Sequence, residues 1–188
     1  NKLVVLLGGD HSTPLGFYKA LAEHHNDFGI LHIDAHCDLR KAYECFKYSH
    51  ASIMYNTLEE VKAVSKIVQV GIRDYCQEEY EYIQANPERL SVFFDRDIKE
   101  RQYGGDSWHN IVTDIVAQLP QKVHLSFDID GLDPKLCPNT GTPVQGGFEA
   151  EQIMYLIKKV LESGRQLISV DLVEVGVGEN DWDANVGS

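Results

Sequence analysis

The segment Phe28-Gly29-Ile30-Leu31-His32-Ile33 is apolar almost without a break, and it runs directly into Asp34-Ala35-His36-Cys37-Asp38. A short apolar run without polar alternation reads as a strand covered on both faces, the kind found in parallel sheets. A second run, Val123 to Phe127, leads in the same way into Asp128-Ile129-Asp130. Residues two apart on an extended segment point to the same side, so Asp34, His36 and Asp38 are expected to converge, and so are Asp128 and Asp130. Carboxylates gathered at the end of a buried strand are costly unless positive charge neutralises them. A divalent cation meets that need. Oxygen-rich ligands with some imidazole suit manganese better than a thiolate-rich site would.

The rest of the chain alternates in a way that fits such strands. Leu3 to Leu7 reads as a strand ended by Gly8-Gly9, and Thr13-Pro14 as an N-cap with proline at the first helical position, opening a helix to about His25. After the strand ending at Asp34 and a polar loop from Leu39 to Ser49, a helix is expected over about Ala51 to Ala63, a strand over Lys66 to Ile72, a helix over Gln77 to Gln84 and a strand over Leu90 to Phe94. Gly104-Gly105-Asp106 reads as the opening of a helix to about Leu119, ahead of the strand ending at Asp128. Leu132 to Gly147, rich in turn residues, reads as a long loop, followed by an amphipathic helix over Glu149 to Ser163 and a last strand over Leu167 to Glu174. Strands alternating with helices imply an α/β fold with a parallel sheet covered on both faces. His11, Asp34, Asp128 and Glu174 each fall at or just past the carboxyl end of an expected strand, the rim at which open parallel sheets bind ligands.

Length and charge narrow the reading further. The 188 residues suffice for one substantial core, so a single domain is expected over 1–188. A net charge of −12 argues against nucleic acid as a partner, and no long uncharged apolar span argues for a membrane helix. Cys37, Cys45, Cys76 and Cys137 lack zinc-ribbon spacing and read as free thiols of a reducing compartment, so a cytoplasmic location is expected. The chain begins abruptly in an apolar strand, which reads as a fragment of a longer protein.

His11, Asp34, His36, Asp38, Asp128 and Asp130 are the metal-ligand candidates. Their carboxylates balance two divalent cations in charge, and a pair of metals sharing bridging carboxylates would lower the pKa of a water held between them. Any one of these aspartates alone reads more simply as a helix cap or surface turn. Asp-x-His-x-Asp together with Asp-x-Asp, both after buried strands, favours the ligand reading.

Three longer motifs carry a family resemblance. Gly8-Gly9-Asp10-His11-Ser12, Asp34-Ala35-His36-Cys37-Asp38 and Ser126-Phe127-Asp128-Ile129-Asp130-Gly131-Leu132-Asp133-Pro134 resemble the signatures of the ureohydrolases, the family of arginase, agmatinase and formimidoylglutamase. Gly141-Thr142-Pro143, Gly146-Gly147 and Asp171-Leu172-Val173-Glu174-Val175 match further segments in the same order, while the family's leading region and last helices lie outside the match. The resemblance implies a three-layer α/β/α fold and two Mn2+ per chain. It places His11, Asp34, Asp38 and Asp128 on one ion and Asp34, His36, Asp128 and Asp130 on the other, with Asp34 and Asp128 bridging. His50, in Tyr48-Ser49-His50-Ala51-Ser52, resembles the family's proton shuttle, a role suited to imidazole. Glu174 resembles the residue that grips the substrate guanidinium, whose planar fork of donors a carboxylate can accept. Trimers or hexamers of identical chains are implied as well.

The substrate expected is a small cationic guanidino compound. Arginases carry an asparagine- and serine-rich loop after the second motif, and Leu39 to Ser49 does not show it; the aspartate that contacts the substrate amino group falls near Cys76. Agmatine, which lacks the carboxylate that loop binds, is therefore the expected substrate, with arginine and formiminoglutamate as alternatives. Arg40, Lys41 or Lys47 offers a carboxylate another route. Two readings of other classes compete: a deacetylase with a single zinc, and a catalytically silent ureohydrolase-like subunit. Intact His11, Asp38 and Asp130 argue against the first, and the complete ligand set with His50 and Glu174 against the second.

Overall fold

A computed structural model describes residues 2–188. Its frame is one sheet of parallel strands, β1 (Val4–Leu7), β2 (Phe28–Ile33), β3 (Val64–Ile72), β4 (Leu90–Phe94), β5 (Lys122–Asp128) and β6 (Gln166–Val173), in the spatial order β1-β6-β5-β2-β3-β4. The apolar run Phe28 to Ile33 is β2, buried at every position between β5 and β3. Among the described residues β1 pairs with β6 alone, and Val4, Val5 and Leu7 are exposed on it.

Helices cover both faces, giving the three-layer α/β/α arrangement. On one face α1 (Pro14–Ala22), α2 (Ile53–Glu60) and α3 (Gln77–Ala85) bury Leu15, Tyr18, Met54, Leu58 and Ile83 against Phe28, Ile30 and Ile67. On the other, α4 (Asp95–Tyr103), α5 (Trp108–Ala117) and α6 (Ala150–Glu162) bury Ile98, Ile111, Ile115, Ile153 and Leu156 against Leu31, Val68 and Leu125. Alternate residues of the central strands feed the two cores, as the strand's two-residue side-chain period requires. A short α7 (Trp182–Gly187) follows β6. Among the described residues no helix is long and apolar enough to cross a membrane.

The structure departs from the sequence reading at several ends. Thr13 does not cap α1: it is already helical, and its hydroxyl donates to the Asp10 carbonyl. Asp10 organises the turn instead, its Oδ1 accepting from both the backbone and the hydroxyl of Ser12. That helix ends at Ala22, not near His25, because the His24 and His25 amides fold back onto the Leu21 carbonyl. The helix expected over Ala51 to Ala63 is a 3-10 turn at His50–Ser52 followed by a shorter α2. Gly104 and Gly105 close a helix that sequence reading did not assign, α4, and the next one is opened by Ser107, whose Oγ accepts the Asn110 amide.

One glycine shapes the site directly. Gly71 has φ +98°, and it lies in β3 where the register against β4 shifts. A Cβ there would stand 2.6 Å from Phe148 Cε2 and 3.1 Å from the Asp34 carbonyl. Gly71→Ala is therefore strained in backbone and in packing together, and is expected to cost about 2 kcal/mol or more of stability, read as a lowered urea midpoint.

Candidate metal centre

Four strands deliver polar groups to one rim of the sheet. His11 follows β1, Asp34 follows β2, Asp128 ends β5 and Glu174 follows β6. His11, Asp34, Asp38, Asp128 and Asp130 are buried, and His36 is half-buried.

Convergence is achieved by turns and not by the pleat. Past Asp34 the chain leaves the extended conformation, and Asp38 has φ +54°, its carbonyl accepting the Met54 and Tyr55 amides at the start of α2. Asp130 lies in a 3-10 turn, Ile129–Gly131, whose entry is fixed by the Asp130 amide donating to Asp128 Oδ1. The pairs expected to meet do meet, for a different backbone reason.

The centre of the first group is His11 Nδ1. Asp34 Oδ2 lies 3.0 Å from it, Asp38 Oδ2 3.2 Å and Asp128 Oδ2 3.1 Å. The other ring nitrogen, Nε2, is 2.9 Å from Ser126 Oγ. Ser126 donates its hydroxyl proton to Asp171 Oδ1, so toward His11 its oxygen acts as an acceptor and Nε2 carries a proton. Tyr18 and His124 hold the other Asp171 oxygen, at 2.9 and 2.6 Å. This buried relay leaves Nδ1 as the nitrogen aimed at the carboxylates.

A second group forms around His36 Nδ1, 3.1 Å from Asp130 Oδ2 and 3.4 Å from Asp34 Oδ1. Asp34 thus turns one oxygen to each histidine, as a bridging carboxylate does. Asp128 turns its free oxygen to His11, and its other oxygen is held by the Asp130 amide. Asp130 Oδ1 is likewise held by the Ala35 amide, which leaves Oδ2 for His36. Arg73 secures the turn from behind: its guanidinium donates to the carbonyls of Asp130, Leu132 and Val144.

The donor set fits divalent cations. Burial and the neighbouring Asp34 charge push both the Asp38 and the Asp128 carboxyls well above the usual carboxylate range. Burial alone would pull the two histidines down; carboxylate hydrogen bonds reverse this, holding His11 well above its ordinary value and His36 up to about 11. The cluster therefore carries more negative charge than the protein neutralises and recruits protons to do so. Cations bound among these oxygens and imidazoles would replace those protons.

The centre forms the floor of a cleft walled by His50, Glu174, Arg40, Tyr43, Asp74, Glu79 and Thr142. His50 stands at the start of its 3-10 turn, edge-on to the Tyr43 ring. Glu174 has φ +61°, a conformation costly for a side chain of this kind, and is pinned by its amide donating to the Gly9 carbonyl and its carbonyl accepting from Thr140. Its Oε1 accepts the His11 amide at 2.8 Å. Burial raises its carboxyl, partly offset by that amide. Lys47, one of the cations considered for a substrate carboxylate, is instead engaged with Glu60 at 2.7 Å.

Sequence reading passed over His32, Ser126, Asp171 and Gln69. His32 Nε2 lies 2.7 Å from Asp34 Oδ2, and His124 Nε2 lies 2.6 Å from Asp171 Oδ2. A signal was present for two of them, since His32 precedes Asp34 and Ser126 precedes Asp128 by the same two-residue step that groups the acidic residues.

The model of the arginase family matches residues 1–177. The chain is 32% identical over 181 residues to a guanidinobutyrase of Pseudomonas aeruginosa, covering 92% of this chain and 53% of that protein. It is 34% identical over 174 residues to an N(1)-aminopropylagmatine ureohydrolase of Thermus thermophilus, covering 93% and 55%. The chain thus spans about half the length of these curated relatives. Among solved structures, an arginase from Bacillus cereus superposes with a TM-score of 0.84 at 25% identity, over 98% of this chain and 68% of the other.

Proposed function

The chain belongs to the arginase family, and from that premise we propose that it hydrolyses the guanidino C–N bond of a linear alkylguanidine, releasing urea and a primary amine, with agmatine as substrate and putrescine as product. The observation that carries this reading is the pair of ligand groups that share Asp34 on the floor of a cleft walled by Glu174 and His50. We assign two Mn2+ to the groups, held by His11, Asp34, Asp38 and Asp128 and by Asp34, His36, Asp128 and Asp130. When bound, such a pair supplies an activated water as nucleophile.

The protein's own residues account for binding, orientation and proton delivery. Glu174 is anchored through Oε1 to the His11 amide, which leaves its carboxylate fixed beside the metal groups to receive the guanidinium. Fixing that planar cation sets its central carbon against the floor of the cleft, where orientation contributes to rate. As water adds to the carbon and the C–N bond breaks, the water oxygen becomes the urea oxygen, and the departing nitrogen takes up the two protons the water loses and leaves as the ammonium form of the amine, the second proton arriving by relay. His50, on the cleft wall, is placed to deliver it. Asp74 and Glu79 outnumber Arg40 on the remaining wall, which suits a cationic tail such as that of agmatine.

Urea release from agmatine, arginine, guanidinobutyrate and formiminoglutamate tests the reading, with agmatine expected to be turned over fastest. Urea from none of them would overturn it. A second check concerns His50. His50→Asn is expected to lower kcat by about two orders of magnitude or more while KM and metal content stay near normal, as loss of a general acid should. Loss of metal in that variant would make His50 a ligand instead.

A further inference from the structure

Beneath Asp34 a chain of hydrogen bonds ends on a backbone carbonyl, and that carbonyl determines what His32 can do. Gln69 Nε2 lies 2.7 Å from the Cys37 carbonyl oxygen. A carbonyl only accepts, so the amide must present its NH2 there; the reverse orientation would set two acceptors against each other. The same NH2 lies 2.9 Å from His32 Nδ1, which is therefore the unprotonated nitrogen of the ring. An imidazolium is excluded by the same contact, because a proton on Nδ1 would face the amide protons. The ring proton is then on Nε2, 2.7 Å from Asp34 Oδ2. His32, Gln69, Asp34 and Cys37 are all closed off from solvent.

Distance alone would allow another role. The ring of His32 is close enough to His11, Asp34 and Asp38 for all of them to reach one metal ion. The tautomer decides against this, since a protonated Nε2 has no lone pair to give. We propose that His32 is a positioning residue and not a ligand: its Nε2–H holds Asp34 Oδ2 so that the shared carboxylate keeps one oxygen toward each metal group. Oδ1 is held by the His36 amide at 2.6 Å, so the carboxylate is fixed at two points and cannot rotate. Gln69 Oε1 has no hydrogen-bond partner among the described residues, so the amide is retained for its NH2, which a carboxylate could not replace.

The proposal rests on the metal-centre reading, and its test separates the two. Nitrogen-15 spectra of the histidine rings in the full chain report the tautomer directly, first metal-free and then titrated with Zn2+, which is diamagnetic. His32 is expected to carry its proton on Nε2 throughout. Gln69→Glu, nearly isosteric but with at most one donor where the NH2 serves two acceptors, is expected to keep its far-UV circular dichroism while Mn2+ affinity, measured calorimetrically, falls at least about tenfold. A proton on His32 Nδ1, displacement of the Nε2 proton by Zn2+, or unchanged Mn2+ affinity in the variant would overturn the role given to His32. If the variant does not fold, the tautomer in the unmodified chain still decides. Failure of the unmodified chain to bind either ion would overturn the metal centre itself.

Discussion

Asp34→Ala is expected to abolish urea release and to empty both metal groups at once. Among the described residues no other side chain turns one oxygen toward His11 and the other toward His36, at 3.0 and 3.4 Å. Removing the carboxylate leaves each group one donor short, and leaves His32 and the His36 amide without their acceptor. The backbone at this position keeps its hydrogen bond to the Val70 carbonyl, so the loss falls on the site and not on the sheet. Asp38→Ala makes the natural comparison, because Asp38 contacts only the group around His11. It should lose one ion and retain the other. Metal analysis of the purified variants checks both statements, and an Asp34→Ala protein with a full metal complement and ordinary turnover would refute the site.

Glu174→Gln is expected to keep the metals and lose the substrate. Glu174 belongs to neither ligand group, and its contact with the His11 amide is one that a glutamine oxygen can preserve. What the substitution removes is charge. Truncating one partner of a desolvated charge pair typically costs roughly 2–5 kcal/mol, much of it from the partner left unpaired. Agmatine turnover should therefore fall by between about thirtyfold and a few thousandfold, at unchanged metal content. An acetylated amine is neutral at its reacting group, so a deacetylase would be nearly indifferent to the same change. Undiminished agmatine hydrolysis would remove Glu174 from substrate binding.

The parts of this molecule that the sequence made legible are those governed by local periodicity. β2 and β5 are recognisable because an apolar run of strand length admits few alternatives, and the acidic residues behind them are recognisable because burial makes them expensive. The reason given for their convergence did not survive, although the convergence did: Asp38 depends on a left-handed backbone and Asp130 on a 3-10 turn, and neither follows from strand alternation. α4 escaped notice because Asp95-Arg96-Asp97-Ile98-Lys99-Glu100-Arg101-Gln102-Tyr103 buries only Ile98 and Asp95, too little to write a helical stripe. Asp171 and Gln69 were illegible for a deeper reason. Each lies inside a strand that reads as structural, and its partners are contributed by strands and loops tens of residues away.

The centre would also have a mechanical side. His11, Asp34 and Asp38 come from separate stretches of chain: the turn after β1, the end of β2 and the left-handed turn at Asp38. An ion held by all three would act as a clasp across those stretches. Anything that binds only the closed arrangement stabilises it by mass action. Loading of such a centre and ordering of the rim turns would then be one equilibrium.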